Sequence, residues 1–486
     1  MGKKLIPYGI CFLLLSPCLI LFFLSPHLVM PQKAEIFWAL GNSFIQAFLS
    51  AFLTLILGFI VALGYIRIPP ERFVVKSFFE VLCLITQFVP VIVSLVGILN
   101  LIQPFPTGIV GMVTVHAFLN FGLAAILLSQ HMQTVWGETS DVARTLGVTR
   151  FLYWRKIGVP QIKNEIGLVF LYLFSMFFTS FSVPLIVGGG RGTTLEILIY
   201  EKMRLSSDWS AAVVLAWVQI IFIFILSFLV IKNKKTPVKR DHDMTWLGSY
   251  AGAALLLILM TGLFVGYSSG LTEGWIQRHE LSTFGNDFAF GFMNSVILGL
   301  VTFILVIGVF KAIALVGILP YWLDRFLNGY LAPSTSLSCF AFLVILPAEH
   351  IWSYIKIPLA FTILSIPALY RMGFGERLKD LHAQIEHAQL LGATSYVTFR
   401  DITWPQIKSQ ARFLGALVAT WACGDFAVSR ILSTQDFTLG LIVQTLLSTY
   451  RMSLASLVSV LLLLACFVCF FLIMGWDYVD RRKSGN

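Results

Sequence analysis

The sequence predicts an all-α integral membrane protein of about twelve transmembrane helices, arranged as two parallel six-helix repeats. Three observations lead there. The composition is that of a lipid-embedded chain, apolar stretches of bilayer length recur along it, and a 23-residue segment occurs twice, 245 positions apart.

The 486 residues are 58% hydrophobic and 12% charged, with a mean hydropathy of +0.86. A soluble domain carries about 25% charged residues, and half that share cannot cover a water-facing surface. The net charge of +10 does not point to nucleic acid, because in a membrane protein the placement of Lys and Arg matters more than their sum. Cys11, Cys18, Cys83, Cys339, Cys423, Cys466 and Cys469 all lie in apolar stretches. They read as small core residues and not as a disulfide framework.

A bilayer core takes about 20 apolar residues in a helix, and backbone groups without water partners make the helix the default span. The N-terminal MGKKLIPYGICFLLLSPCLILFFL has a basic start and a long apolar run without an A-x-A-like site, so it reads as an uncleaved first span. The candidate spans are 5–24, 44–66, 78–102, 108–130, 166–188, 211–231, 246–267, 294–318, 331–350, 356–374, 411–432 and 454–476. With the N-terminus inside and alternation thereafter, 26 of the 34 Lys and Arg fall on the inner side. Positive residues favour the cytoplasmic side, which places both termini there.

The repeated segments are DVARTLGVTRFLYWRKIGVPQIK, 141–163, and EHAQLLGATSYVTFRDITWPQIK, 386–408, identical at ten of 23 positions without a gap. Unrelated segments share about one or two, so duplication is the explanation. A fainter echo lies upstream, where Asn42-Ser43 and Asn294-Ser295 each open an apolar run. An even number of spans between the two segments puts both on one face, and the charge count makes that face cytoplasmic. Repeats so related share an axis along the membrane normal.

Each copy reads as helix, glycine, helix, proline. The acid, Asp141 or Glu386, suits a helix start. Gly147 and Gly392 suit a helix C-terminus at positive φ. Thr149 and Thr394 are placed to cap the short second helix. Val159 and Trp404, each before a proline, are expected outside helical geometry, and Pro160 and Pro405 suit the first turn of the next span. A bare amphipathic hairpin on lipid leaves the identical glycine–proline spacing unexplained, whereas a docking surface requires it.

This pattern resembles the EAA loop of binding-protein-dependent ABC importer permeases of the type I fold, in which E-A-A is followed by a glycine and, thirteen positions later, a proline. Asp141, Ala143, Gly147 and Pro160 match it in the first half, and Glu386, Ala388, Gly392 and Pro405 in the second. The departures are Asp for the first acid and Val142 and His387 in the middle. Two halves fused in one chain are similar to the ferric-iron and thiamine transporter permeases. The resemblance implies ATPase-coupling loops that dock on two copies of a separate ATP-binding ABC subunit. It also implies a periplasmic or extracellular solute-binding protein, and a place in the bacterial inner membrane.

The chain has no GxxxxGK[ST] loop, and GGGRGTT at 188–194 lacks the lysine spacing. No catalytic or metal-ligating constellation stands out, so the chain reads as a permease subunit, not an enzyme, with no cofactor of its own. Polar groups at membrane depth are functional suspects, which makes Asp425, Ser180 and His116 the candidate pathway residues. The expected organisation is an N-terminal span and outer loop (1–39), a first permease repeat (40–231), and a basic cytoplasmic linker (232–245). A span and outer loop (246–289), a second repeat (290–474) and a cytoplasmic tail (475–486) complete it. The expected function is import of a small solute through an ATP-driven complex. The alternative is a proton- or ion-coupled secondary transporter using Asp425.

Overall fold

The structure is a computed structural model that describes residues 2–23, 31–190, 192–230, 243–279, 285–329, 334–347, 349–433 and 437–483. All of its regular structure is helical. In chain order the first helices are α1 (Gly2–Phe23), α2 (Lys33–Ile66), α3 (Phe73–Phe88), α4 (Val91–Leu101), α5 (Ile109–Thr145), α6 (Arg150–Tyr153), α7 (Val159–Phe178), α8 (Ser182–Val187), α9 (Leu195–Arg204), α10 (Trp209–Val230) and α11 (Tyr250–Ile276). They are followed by α12 (Gly285–Val316), α13 (Tyr321–Gly329), α14 (Thr335–Ile345), α15 (Ser353–Leu369), α16 (Gly375–Asp380), α17 (His382–Leu390), α18 (Ser395–Thr398), α19 (Trp404–Cys423), α20 (Ala427–Leu432), α21 (Leu439–Ser448) and α22 (Met452–Lys483). The expected linker at 232–245 lies outside the described residues as far as 242. The expected tail is helical as the end of α22 up to Lys483.

Among the described residues, six helices are long and apolar enough to cross a membrane: Lys33–Ile66, Ile109–Gly137, Tyr250–Ile276, Asp287–Val316, His350–Leu390 and Met452–Trp476. The count becomes seven if the bent pair α3–α4 is one span. Twelve were expected, and the difference has physical causes. The predicted span 78–102 turns through 99° between α3 and α4. Pro90 supplies no backbone donor there, and Val89 before it is extended at φ −75, ψ 136. The predicted spans 166–188 and 411–432 are interrupted at 179–181 and 424–426, between α7 and α8 and between α19 and α20. The predicted spans 5–24 and 211–231 correspond to α1 and α10, each of 22 residues, and the predicted span 331–350 holds the eleven-residue α14.

The same succession of local structure occurs twice. The helices α6, α7 and α8 begin at 150, 159 and 182, and α18, α19 and α20 begin at 395, 404 and 427, a constant step of 245. A five-residue π-helical turn stands before α7 (Trp154–Gly158) and before α19 (Phe399–Thr403). Upstream the halves differ. The helix α5 runs 37 residues unbroken, whereas α15 and α16 are separated by a kink at Met372 and Gly373, the latter at φ +112.

Two compact units form. The smaller comprises Phe37–Leu195 and Phe228–Glu273, so it holds α2 to α8 together with α11. The larger comprises Met1–Ile36, Glu196–Ser227 and Gly274–Asn486, so α1 and most of α9 and α10 belong with α12 to α22. Between helices in lipid, hydrophobic burial gives little drive and small residues permit close backbone approach. In the smaller unit, α11 lies against α2 at Gly252 and Gly64 and against α4 at Gly266 and Gly97. A Cβ on Gly252 would overlap the carbonyl oxygen of Ile60, and one on Gly64 would sit 2.5 Å from the Ala253 nitrogen. In the larger unit, Phe310 of α12 stacks on Phe374 at 4.1 Å. That pair belongs to a core with Leu378, Ile385, Ile407 and Leu414.

Gly252→Val is expected to force α11 off α2 and lower stability by about 1–3 kcal/mol, the usual cost of overpacking. Gly262→Ala, which meets the end of the Leu101 side chain at 3.3 Å, is expected to be tolerated. Thermal unfolding in detergent compares them, and equal midpoints would refute the close-approach account.

Candidate functional site

In the first hairpin, within the smaller unit, α5 ends in paired backbone bonds. The Val148 N–H donates to Ala143 O at 3.0 Å and the Gly147 N–H to Arg144 O at 3.1 Å. The second hairpin, within the larger unit, repeats them: Ala393 N–H to Ala388 O at 3.0 Å and Gly392 N–H to Gln389 O at 3.0 Å. This is the Schellman closure, which needs a left-handed residue at the glycine. Gly147 has φ +69 and Gly392 φ +86. Ala143 is matched because it stands at the closure: its side chain is 3% exposed and its carbonyl takes the Val148 amide.

The chain then passes through a short helix into the π-turn. Thr394 caps α18 by accepting from the Val397 N–H. Thr149 holds the same position at φ −67, ψ 150 without a side-chain bond. Two expectations are corrected here. Val159 and Trp404, each before a proline, are helical at φ −62, ψ −47 and φ −63, ψ −45. The wider π-turn absorbs the clash that a proline brings, since the Val159 amide bonds back to Trp154 and the Trp404 amide to Phe399. Nor do the acids sit at helix starts: Asp141 is near the end of α5 and Glu386 is inside α17, both exposed.

The recurring PQIK now has a structural account. Ile162 and Ile407 are fully buried. Gln161 and Gln406 reach back 22 residues across the hairpin, Gln161 Oε1 accepting from Thr139 Oγ1 at 3.3 Å and Gln406 Nε2 donating to Gln384 Oε1 at 2.7 Å. Pro160 and Pro405 stand exposed in the first turns of α7 and α19. In the first hairpin, Trp136 Nε1 donates to Gly158 O at 2.9 Å, and the Tyr153 hydroxyl lies 2.9 Å from Thr139 Oγ1. Burial pushes the Tyr153 phenol up from its ordinary value. In the second, Asp401 accepts from Arg400 at 2.6 and 2.9 Å, and the guanidinium holds its carboxyl below the usual range.

The tip of each hairpin is apolar and open to solvent. Val142, Leu146 and Phe151 surround Gly147, with Phe151 75% exposed, and Leu390, Leu391 and Tyr396 surround Gly392, with Leu391 88% exposed. Water-exposed aliphatic clusters of this kind mark interaction sites.

The candidate pathway residues fall differently. In the smaller unit His116 is 3% exposed, and its ring lies 4.6 Å from Phe177. Ser180 sits in the break after α7, where its N–H donates to Phe177 O at 3.3 Å. Asp425, in the larger unit, is not mid-span as expected. Its carboxylate accepts from the Val428 and Ser429 amides at 2.7 and 3.2 Å and so starts α20 after the break.

Sequence reasoning missed Glu196. The stretch 189–210 reads as a polar outer loop, but 195–204 is helical and Glu196 is fully buried. Its oxygens accept from Ser334 Oγ at 2.8 and 3.0 Å, the Ser336 N–H at 2.7 Å and Gln219 Nε2 at 2.6 Å, at the start of α14. The hydroxyls of Ser334 and Ser336 were the available signal, but they are 138 and 140 positions away.

Gly147→Ala is expected to leave the fold intact, because the space around it is open. The left-handed backbone then costs about 1–2 kcal/mol. Amide exchange at Val148 should quicken by roughly tenfold while α7 keeps its protection, read by hydrogen–deuterium exchange. Unchanged exchange at Val148 would refute the closure.

No family model matches the chain, and no solved structure matches it. Sequence relatives do. The thiamine transport system permease protein ThiP of Escherichia coli is 30% identical over 208 residues, 39% of this chain and 38% of the relative. The Salmonella typhimurium protein of the same name is 29% identical over 243 residues, 45% of each. That of Haemophilus influenzae is 23% identical over 494 residues, 90% of this chain and 88% of the relative. The match thus spans less than half the length of the first two relatives and most of the third. The chain is a distant homologue of the thiamine-system permeases over nine-tenths of its length.

Proposed function

We propose that the chain is the membrane-spanning subunit of an ATP-driven ABC importer, with both translocation halves in one polypeptide. It consists of two parallel repeats of six membrane-crossing segments, broken helices included, with the hairpins and both termini on the cytoplasmic side of a bacterial inner membrane. The observation that carries this reading is the twofold hairpin: the same glycine closure, π-turn and glutamine tie, each under an exposed apolar tip. Geometry held this closely in two places suits docking on two copies of one ATPase.

In mechanism, Asp141 to Pro160 and Glu386 to Pro405 are the coupling loops. ATP binding brings the two ATPase copies together and moves the hairpins with them. The buried anchors Ile162 and Ile407 carry that motion into α7 and α19. A conformational change of this kind needs differential contacts in the two states. The exposed tips supply them from ATP, and a solute-binding protein supplies them from the outer side. Thiamine is the substrate that the names of the relatives support. The proton-coupled alternative rests on Asp425, whose carboxylate also caps the start of α20.

The test is a pull-down of the tagged chain from native membranes in mild detergent, read by mass spectrometry beside a Gly147→Asp, Gly392→Asp chain. An ATPase at two copies per chain is expected, at least tenfold depleted in the variant. A folded wild-type sample that brings no ATPase would sink the importer reading.

A further inference from the structure

Of four buried polar side chains inside the smaller unit, three face apolar residues in the second half and one faces a threonine. Gln46, Ser50 and Thr54 lie on α2 at every fourth residue, so they share one face over about 12 Å of helix. All three are fully buried, and His116 of α5 is 3% exposed. Gln46 and His116 meet at one residue: Gln46 Nε2 donates to Phe177 O at 2.8 Å, and the His116 ring lies 4.6 Å from the Phe177 ring. Yet Gln46 Oε1, Ser50 Oγ, Thr54 Oγ1 and His116 Nε2 have no hydrogen-bond partner among the described residues. A buried polar atom left so is costly, and folded proteins rarely tolerate one, let alone four in one file.

The second half supplies an internal control. The helices α2 and α12 carry the matched Asn-Ser pairs 252 positions apart. On that step Gln46 faces Leu298, Ser50 faces Thr302 and Thr54 faces Val306. Thr302 satisfies itself by donating to Leu298 O at 2.7 Å, the usual escape for a helical hydroxyl. Counted from the starts of α5 and α15, His116 faces Ala360. The second half is therefore apolar at three of these positions and satisfies its hydroxyl at the fourth, so packing does not require unsatisfied groups here. None of the described residues satisfies those of the first half. Buried sites of this polarity hold water, and lipid offers none.

We infer that Gln46, Ser50, Thr54 and His116 line a water-accessible polar site within the smaller unit that takes an uncharged hydrogen-bonding group. Water occupies it at rest, and the polar groups of a solute in transit replace that water. The second source rests on the permease reading above; the first does not.

Cysteine labelling in the full chain, with its native cysteines replaced, tests both sources. In membranes, Ser50→Cys and Thr54→Cys are expected to react with a small cationic methanethiosulfonate at least tenfold faster than Thr302→Cys and Val306→Cys. Equal rates would overturn the site. Radiolytic hydroxyl-radical footprinting of the unaltered chain covers the case in which the cysteine-free protein fails to fold. His116 should be oxidised in spite of its burial while Phe310 is not, and an unmodified His116 would also overturn the site. Added thiamine, the probe for transit, should slow Ser50→Cys labelling at least threefold. Fast labelling indifferent to thiamine would overturn the solute half and leave water as the occupant. Neither labelling nor footprinting needs an ATPase, so both decide the site whether or not the pull-down succeeds.

Discussion

A helix that ends away from water leaves backbone donors and acceptors that only the protein can satisfy, and much of this chain is organised around that requirement. The Asn-Ser pairs show it most directly. Ser43 Oγ accepts from the Leu195 amide at 2.7 Å, and Ser295 Oγ from the Leu439 amide at 3.1 Å, so each serine receives the first donor of a ten-residue helix. The neighbouring asparagines hold the approach to those helices, Asn42 donating to Thr193 O at 3.2 Å and Asn294 to Phe437 O at 2.9 Å. Asp425 seals the start of α20 and Glu196 the start of α14 in the same way. The chain can break its helices inside an apolar environment because each of these breaks comes with a polar side chain, local at Asp425 and from elsewhere in the same unit at the others.

The hairpins answer the same requirement with backbone alone. The Schellman closure takes two orphan carbonyls at the end of α5 and again at the end of α17, and the π-turn then carries the chain into a proline without losing helical geometry. No long side chain has to cover the tip, so the tip remains free to be apolar. The halves differ in how the hairpin is mounted. The first continues from an unbroken α5, while the second follows a kink at Gly373, where a side chain would crowd the Gln410 amide. The helix before each hairpin is thus one rigid rod in the first half and a jointed one in the second.

Seen together, the breaks and the hairpins divide the polar residues into three kinds. Some seal backbone, as Ser43, Ser295, Glu196 and Asp425 do. Some tie a hairpin, as Gln161 and Gln406 do. In the remaining file on α2, Gln46 Nε2 holds the Phe177 carbonyl, but Gln46 Oε1, Ser50, Thr54 and, on α5, His116 Nε2 do neither. These atoms are polar surface in the smaller unit that its own fold does not consume.

The class, the duplication and the hairpin plan were legible in the sequence, because composition, a gapless 23-residue match and a glycine–proline spacing are all local quantities. The pair Asn42-Ser43 and its echo at Asn294-Ser295 were visible as a pattern but not as a mechanism, since their partners lie 144 to 152 positions on. Hydropathy counted spans correctly where a helix is straight, as at α2, α11 and α22. It overran the breaks at Pro90, Thr179 and Gly424, because apolar side chains continue through a turn whose backbone does not. Glu196 read as a loop acid and Asp425 as a mid-span charge for the same reason. Hydropathy and spacing measure what a segment costs to bury, and they belong to the sequence alone. Asp425 meets a helix start three residues on, but which side chain meets the start of α9, α14 or α21 depends on segments far apart in the chain, and only the tertiary structure decides it.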